Sequence, residues 1–492
     1  MSLHERLASP RMIFVISLAI AVCAQSIFLI RSEWRSQPPK ATGDGMQYEN
    51  IAFHLSQGRG YYFNNGDSQW RSLYEQATRT GEGNNYKTHL AAPIRDMPAT
   101  DRPPLYPTIL ASTYTLLGRD ATAFTLIHWF SGFCLALAAA LSACLVAQLA
   151  RASLVKDKQR SKSQCVVVLV ASLLPVVLFL SNRTLQSYTE DFLTEPLALV
   201  WMQLVAISLV RSSSMATARS KWMHLLFAAF CWGCLILTRS LFVTWLPALL
   251  MLLLALPAES WRRRLQHSLA FLGVVCLVCA PWWARNIFVH ERFIPLGTQG
   301  PIAMLGGYCE AAWQDGGEWQ YEAEKALRAQ LDADPDFHSL TSDLAKEAQV
   351  YDAARAELVR FVGGHYDDLP RIALARIVTH WNPYYGKSLI WKIAILCGAA
   401  MLVRRWWIHR KQPSKGKCYF TAISVLIGMP LISTVMVGCL YSVGGRFLVP
   451  CFGILNTLVG LAVLLAMHPN AMADVNVPTE EKNSSSAATQ SG

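Results

Sequence analysis

Asp44 stands between two glycines at the head of an amphipathic stretch, Asp44-Gly45-Met46-Gln47-Tyr48-Glu49-Asn50-Ile51-Ala52-Phe53-His54-Leu55, just after the first apolar run. The same polar segment runs through Gly58-Arg59-Gly60-Tyr61 and closes with Asp101-Arg102-Pro103-Pro104-Leu105-Tyr106-Pro107. One carboxylate heads a helix, and one guanidinium sits beside a double proline that starts another apolar helix. A carboxylate can accept a proton, whereas a guanidinium is a planar fork of donors that keeps its charge and fits phosphate oxygens. Further ionisable residues, Glu190, Asp191, Glu195, Arg239, Arg285 and Arg446, fall at the ends of apolar runs. Such groups are costly there unless paired or functional. Each has a structural alternative. Asp44 suits a helix N-cap, Glu195 before Pro196 suits a helix dipole, and the arginines can snorkel to headgroups.

The elements that must position these residues are membrane helices. Of 492 residues, 53% are hydrophobic and only 16% charged, and the mean hydropathy is +0.27. Apolar runs long enough to cross about 30 Å of hydrocarbon recur along the chain. We expect an all-α polytopic membrane protein of about ten spans: 12–30, 121–150, 165–181, 192–210, 222–238, 241–257, 267–283, 388–403, 418–438 and 447–467. Leu105 to Leu117 reads as a shorter interfacial or re-entrant helix. The net charge of +11 sits largely in short loops such as Arg151 to Gln164, Arg262-Arg263-Arg264 and Arg404 to Lys417. These are the loops the positive-inside rule keeps in the cytoplasm, which argues against nucleic acid as a partner. Most of the thirteen cysteines lie inside apolar runs and read as small packing residues rather than a metal or redox framework.

Arg6 and Arg11 mark the inner end of the first run, a retained signal anchor. Alternation then places a large first external loop, 31–120, and a second external segment, 284–387, on the outside. The second segment lies between the seventh and eighth spans, with amphipathic helices at Tyr321 to Leu331 and Leu340 to Val362. Within a transmembrane domain of 1–467, Asp44, Arg102, Glu195, Arg239, Arg285 and Arg446 gather at the outer leaflet. The polar tail 468–492 is expected to be disordered and cytoplasmic.

The chain has no GxxxxGK[ST] loop, no Rossmann glycine run, no HExxH and no GxSxG. No soluble domain for a nucleotide sugar interrupts the spans, so a group transferred at the outer face would arrive attached to a lipid. At this point an ordered set of residues resembles the landmarks of GT-C-type glycosyltransferases. The set comprises Asp44 with Tyr48, Arg102-Pro103-Pro104, Leu193-Thr194-Glu195-Pro196-Leu197, Leu237-Thr238-Arg239, Pro281-Trp282-Trp283-Ala284-Arg285-Asn286 and Gly445-Arg446-Phe447-Leu448-Val449-Pro450. The likeness is to the branch holding the protein mannosyltransferases, the lipid A aminoarabinose transferases and the lipopolysaccharide-core glycosyltransferases.

The resemblance implies a polyprenyl-phosphate sugar as donor and a hydroxyl on an envelope lipid, glycan or protein as acceptor. Transfer would occur at the outer face of a membrane, here expected to be a bacterial inner membrane. It makes Asp44 the general base, Arg102 the cation before the prolines and Glu195 the second acid. Many relatives carry another acid after the first, where this chain has Gly45, so no metal or other cofactor is assigned. The expected mechanism is inverting. Arg102, Arg285 and Arg446, with Arg239, hold the donor phosphate, and Tyr48, Tyr61 and Trp283 line the sugar pocket. The competing reading is a transporter or flippase for an anionic polyprenyl-phosphate lipid, which calls for charges near the bilayer midplane.

Overall fold

In the computed structural model, residues 6–467 are described apart from 42, 81–85, 155–161, 216, 257–259, 296, 383–388 and 412. The expected tail, 468–492, lies outside the described residues.

Among the described residues, eight helices are long and apolar enough to cross a membrane: Pro10–Arg31, Ala121–Arg151, Lys162–Leu180, Glu195–Ser214, Ala218–Thr238, Trp261–His290, Gly416–Cys439 and Arg446–Met467. The chain is a multi-pass membrane protein. Two of the ten expected spans differ from these eight. Phe242–Ala255 is apolar but has 14 residues, about 21 Å of helix, which is shorter than the hydrocarbon core. Leu389–His409 has the length but carries Lys392, Arg404 and Arg405.

Burial sorts the helices into layers. Ala121–Arg151 and Arg446–Met467 are 83% and 94% buried over their most apolar windows, whereas Pro10–Arg31 and Trp261–His290 are 28% buried. The first pair is hydrophobic all round and forms the centre of the bundle. The second pair turns Val15 and Ile27, and Leu269, Leu277 and Phe288, outward, as helices facing lipid do. Ala136, Ala138, Ala139, Ala140, Ala143 and Ala147 are buried in the central Ala121–Leu154 helix. Small side chains let neighbouring backbones approach closely, which is how apolar helices associate without a hydrophobic drive. Gly460 shows the limit: a Cβ there would lie 2.7 Å from the Ala171 carbonyl oxygen.

Two polar segments pack on one side of the bundle. In the first, the Asp44–Ser56 helix lies against Leu105–Leu117. Strands β1 (Tyr62–Asn64) and β2 (Asp96–Pro98) form an antiparallel ribbon with Tyr62 opposite Pro98. The fully buried Glu49 holds this segment together, pairing with Arg119 at 2.5 Å and accepting hydrogen bonds from Trp70 Nε1 and Tyr74 Oη. The second segment has its own small core, in which Ile302, Leu305, Leu327, Leu331, Phe337 and Val350 join the Gln299–Gly307, Glu322–Asp332 and Asp343–Gly364 helices. The Asp96 backbone N–H donates to Asp343 at 2.7 Å and ties the two segments together.

Candidate active site

Gly43, with φ of +88°, turns the chain so that Asp44 becomes the first residue of the Asp44–Ser56 helix. An acid suits the positive end of a helix dipole, and residues three and four positions on, Gln47 and Tyr48, share its face. Arg102 enters from the loop before Leu105–Leu117. The Tyr61 hydroxyl fixes that loop by donating to the carbonyls of Arg102 and Pro103, each at 3.1 Å. The Arg102 guanidinium donates to Asp44 Oδ1 at 2.8 Å, to Gln47 Oε1 at 2.7 Å and to Gln299 Oε1 at 2.8 Å. Its carbon also lies 5.5 Å from the centre of the Tyr48 ring. Every face of this cation is engaged.

The second acid is held in the same way. Glu195 opens the Glu195–Ser214 helix ahead of Pro196, with a fully buried side chain. Arg239, just past the end of Ala218–Thr238, pairs with Glu195 Oε1 at 2.5 Å. Arg446 bridges the two acids, with Nε on Glu195 and NH1 on Asp44 Oδ2 at 2.8 Å. The result is an alternating row, Arg102, Asp44, Arg446, Glu195, Arg239, drawn from separate segments of the chain. Three guanidiniums face two carboxylates, which leaves one net positive charge.

Asp44, Arg102, Arg239 and Arg446 of this row border a cavity of about 180 Å³ walled also by Tyr48, Trp319, Tyr441 and Phe447, with Glu195 buried behind it. The Asp44 side chain keeps 26% exposure. Burial alone would raise the Asp44 carboxyl pKa, but the guanidiniums of Arg102, Arg446 and Arg239 outweigh it and hold that pKa well below the usual carboxylate range. Glu195 Oε2, buried, has no hydrogen-bond partner. It is an acceptor without a donor, while Oε1 of the same carboxylate holds Arg239 and Arg446.

The 441–445 loop, which carries Arg446 into the site, is tied to the second polar segment. Glu318 accepts from Ser442 Oγ at 2.8 Å and from the Gly444 N–H at 2.7 Å, and the Trp319 N–H donates to the Ser442 carbonyl at 2.9 Å. That segment also supplies Gln299, Ala303 and Trp319 to the cavity, so it is part of the site wall as well as a cap.

Of the residues singled out in the sequence, Asp44, Glu195, Arg102, Arg239, Arg446 and Tyr48 come together here. Arg285, Tyr61 and Trp283 do not line the cavity. Arg285 donates to the Tyr61 carbonyl at 2.7 Å and lies over the Tyr61 and Trp282 rings. It braces Tyr61, which in turn braces the Arg102 loop. Trp283 packs edge-on against Phe293. Gln47, Gln299, Trp319 and Tyr441 were not foreseen. Only Gln47 left a signal, its spacing from Asp44.

Gly45 has a steric reason to be glycine, since a Cβ there would lie 2.6 Å from Asp191 Oδ1 and 3.0 Å from Pro39 Cβ. Among the described residues no three His, Cys, Asp or Glu side chains are placed to hold a metal ion.

No protein-family model and no curated protein sequence matches the chain. Among solved structures it is similar to the archaeal oligosaccharyltransferase AglB from Archaeoglobus fulgidus, in complex with an inhibitory peptide and a dolichol-phosphate. The TM-score is 0.52 at 12% identity, over 94% of this chain and 51% of that one. The chain has the GT-C fold. It spans about half the length of that oligosaccharyltransferase. ArnT from Cupriavidus metallidurans, bound to undecaprenyl phosphate, also matches, with a TM-score of 0.36 at 12% identity over 92% of this chain and 76% of its own.

Proposed function

We propose that this chain is a membrane glycosyltransferase that moves a sugar from a polyprenyl-phosphate donor to a hydroxyl acceptor. The acceptor would be an envelope lipid, glycan or protein at the outer face of a bacterial inner membrane. The observation that carries the reading is the row Arg102, Asp44, Arg446, Glu195, Arg239 at the cavity mouth. It combines a proton acceptor with more cations than acids, at helix ends rather than at the bilayer midplane, where a transporter would need them. A fold shared with an oligosaccharyltransferase solved with a dolichol-phosphate supports a lipid phosphate as the donor's anchor.

The donor phosphate binds Arg102 and Arg446, with Arg239 adding charge. Because these same guanidiniums hold Asp44, donor binding draws them away and Asp44 becomes more basic. The acceptor oxygen then attacks the anomeric carbon, and its proton passes to Asp44. The bond from that carbon to the lipid-phosphate oxygen breaks, and the lipid phosphate leaves with the electron pair. The configuration inverts. The leaving group is already an anion, so it needs charge stabilisation rather than a proton, which the arginines supply. Glu195, buried behind the cavity, orients Arg239 and Arg446, and Tyr48 and Trp319 offer faces for the ring.

The test is transfer by purified protein in liposomes containing a panel of polyprenyl-phosphate sugars and an envelope lipid extract. Asp44→Asn should lower transfer about 10² to 10⁴-fold, the usual contribution of a positioned base, while donor binding persists. Full transfer by the mutant would remove Asp44 from the role. Donor crossing the bilayer without transfer in either protein would favour a transporter.

A further inference from the structure

At the opposite ends of the same helices lies a second, larger cavity of about 400 Å³. The helix that opens with Glu195 lines this cavity with Ser212 and Ser213, so about 25 Å of helix separates the two sites. Its charged wall is Lys221 near the start of Ala218–Thr238, Arg263 and Arg264 near the start of Trp261–His290, and Lys417 of Pro413–Leu426. Among the described lining residues there is no carboxylate.

The contrast with the Asp44 cavity is informative. There the arginines are paired with acids; here Lys221, Arg264 and Lys417 face one cavity whose described lining holds no acid. Arg264 Nε is buried and has no hydrogen-bond acceptor. The positive-inside rule explains basic residues at helix ends, but not their convergence on one cavity or a buried guanidinium nitrogen beside it that lacks an acceptor. Several cations converging on one volume call for a compact anion with several oxygens, which a phosphate provides. Next to the cavity, Met223 and Phe227 on one helix and Leu265 and Leu269 on the other are exposed at 62%, 44%, 41% and 57%. A soluble anion has no use for such apolar neighbours, whereas acyl chains do.

We propose that this cavity binds the phosphate headgroup of an anionic phospholipid from the leaflet opposite the Asp44 cavity. The acyl chains lie along the exposed faces of Ala218–Thr238 and Trp261–His290. The ammonium groups of Lys221 and Lys417 supply charge, and the Arg264 Nε–H donates to a phosphate oxygen. This inference rests on the membrane-spanning fold and not on sugar transfer, so either can fail without the other.

The test is lipid retention by the full chain in nanodiscs of phosphatidylcholine with a minor fraction of phosphatidylglycerol, read by native mass spectrometry. Wild type should retain phosphatidylglycerol preferentially. Arg264→Gln and Lys221→Gln should each weaken that preference about fivefold, the worth of one cation near an anionic lipid surface. Arg264→Lys, which keeps the charge, should lose less. Arg262→Gln is the control, because Arg262 neighbours these residues but does not line the cavity, and it should retain the wild-type preference. Each variant must first match the wild-type unfolding temperature in pure phosphatidylcholine.

No preference in wild type would overturn the proposal, as would an equal loss in Arg262→Gln, which would reduce the effect to general surface charge. Soluble pyrophosphate stabilising the protein as much as phosphatidylglycerol does would also overturn it, by assigning the cavity to a free anion.

Discussion

Asp44 is clamped by two guanidiniums and is therefore a weak base. An aspartate held below its ordinary pKa of 3.8 stays ionised at neutral pH but has little appetite for a proton. In the proposed mechanism a donor phosphate that engages Arg102 and Arg446 would remove that constraint. The acid limb of kcat/KM, which reports the free protein, should thus lie below the ordinary aspartate range. The acid limb of kcat, which reports the loaded protein, should lie above it on the pH axis; coincident limbs would rule out the unclamping step. The same depression links to stability. Stability from ionised Asp44 is fully present above pH 3.8 and is lost as pH falls through the lower folded value. Arginine substitutions separate contact from support. Arg102→Ala should raise the donor KM about 10 to 100-fold, as the loss of charged hydrogen bonds does, while Arg285→Ala, whose side chain engages Tyr61, Trp282 and Asn286 and does not line the cavity, should leave donor KM within about threefold. Equal effects would return Arg285 to the phosphate site.

At the scale of elements, the site depends on how loops are tied down. Glu318 contacts no cavity-lining cation, yet it anchors Ser442 and the Gly444 N–H just ahead of Arg446. Glu318→Ala should lower transfer while leaving Asp44, Arg102 and the fold in place. Purified mutant with wild-type donor KM and kcat would show that the loop holds its shape without the tether. Helix bounds were largely legible because apolar runs and capping residues are local signals. Leu105–Leu117 falls where the double proline and the apolar run place it, and Thr217 caps its helix through the Ser220 N–H. Phe242–Ala255 was less legible. Leu241 to Pro257 reads as a span by composition, but the helix is short, a difference that depends on where the neighbouring turns place its ends.

For the whole molecule, sidedness has a direct test. If the Asp44 cavity faces outward, an impermeant thiol reagent added to right-side-out vesicles should label Cys309, half-buried at the head of Glu310–Gln314. A cysteine introduced by Arg262→Cys should stay unlabelled until the membrane is opened. The reverse pattern would put the Asp44 cavity on the inner face. Two cavities, one where arginines are paired with acids and one whose described lining holds cations without an acid, stand at the two ends of the Glu195–Ser214 helix.

The sequence alone determined that this chain spans a membrane several times, that its unusual charges sit at the ends of spans, and that Asp44, Arg102, Glu195, Arg239 and Arg446 were worth following. These are local properties, because solvation cost acts residue by residue and helix by helix. Tertiary structure alone decided which charges meet. Asp44 and Arg446 are 402 positions apart, and Glu195 and Arg446 are 251. No local rule prefers Arg446 to Arg285 for that role. Packing of the Trp261–His290 helix delivers Arg285 to Tyr61, while the Glu318 tether helps fix the loop that delivers Arg446 to both acids. Gln299, Trp319 and Tyr441 became visible only once the second polar segment was seen folded over the first, since a cavity wall is defined by what faces it.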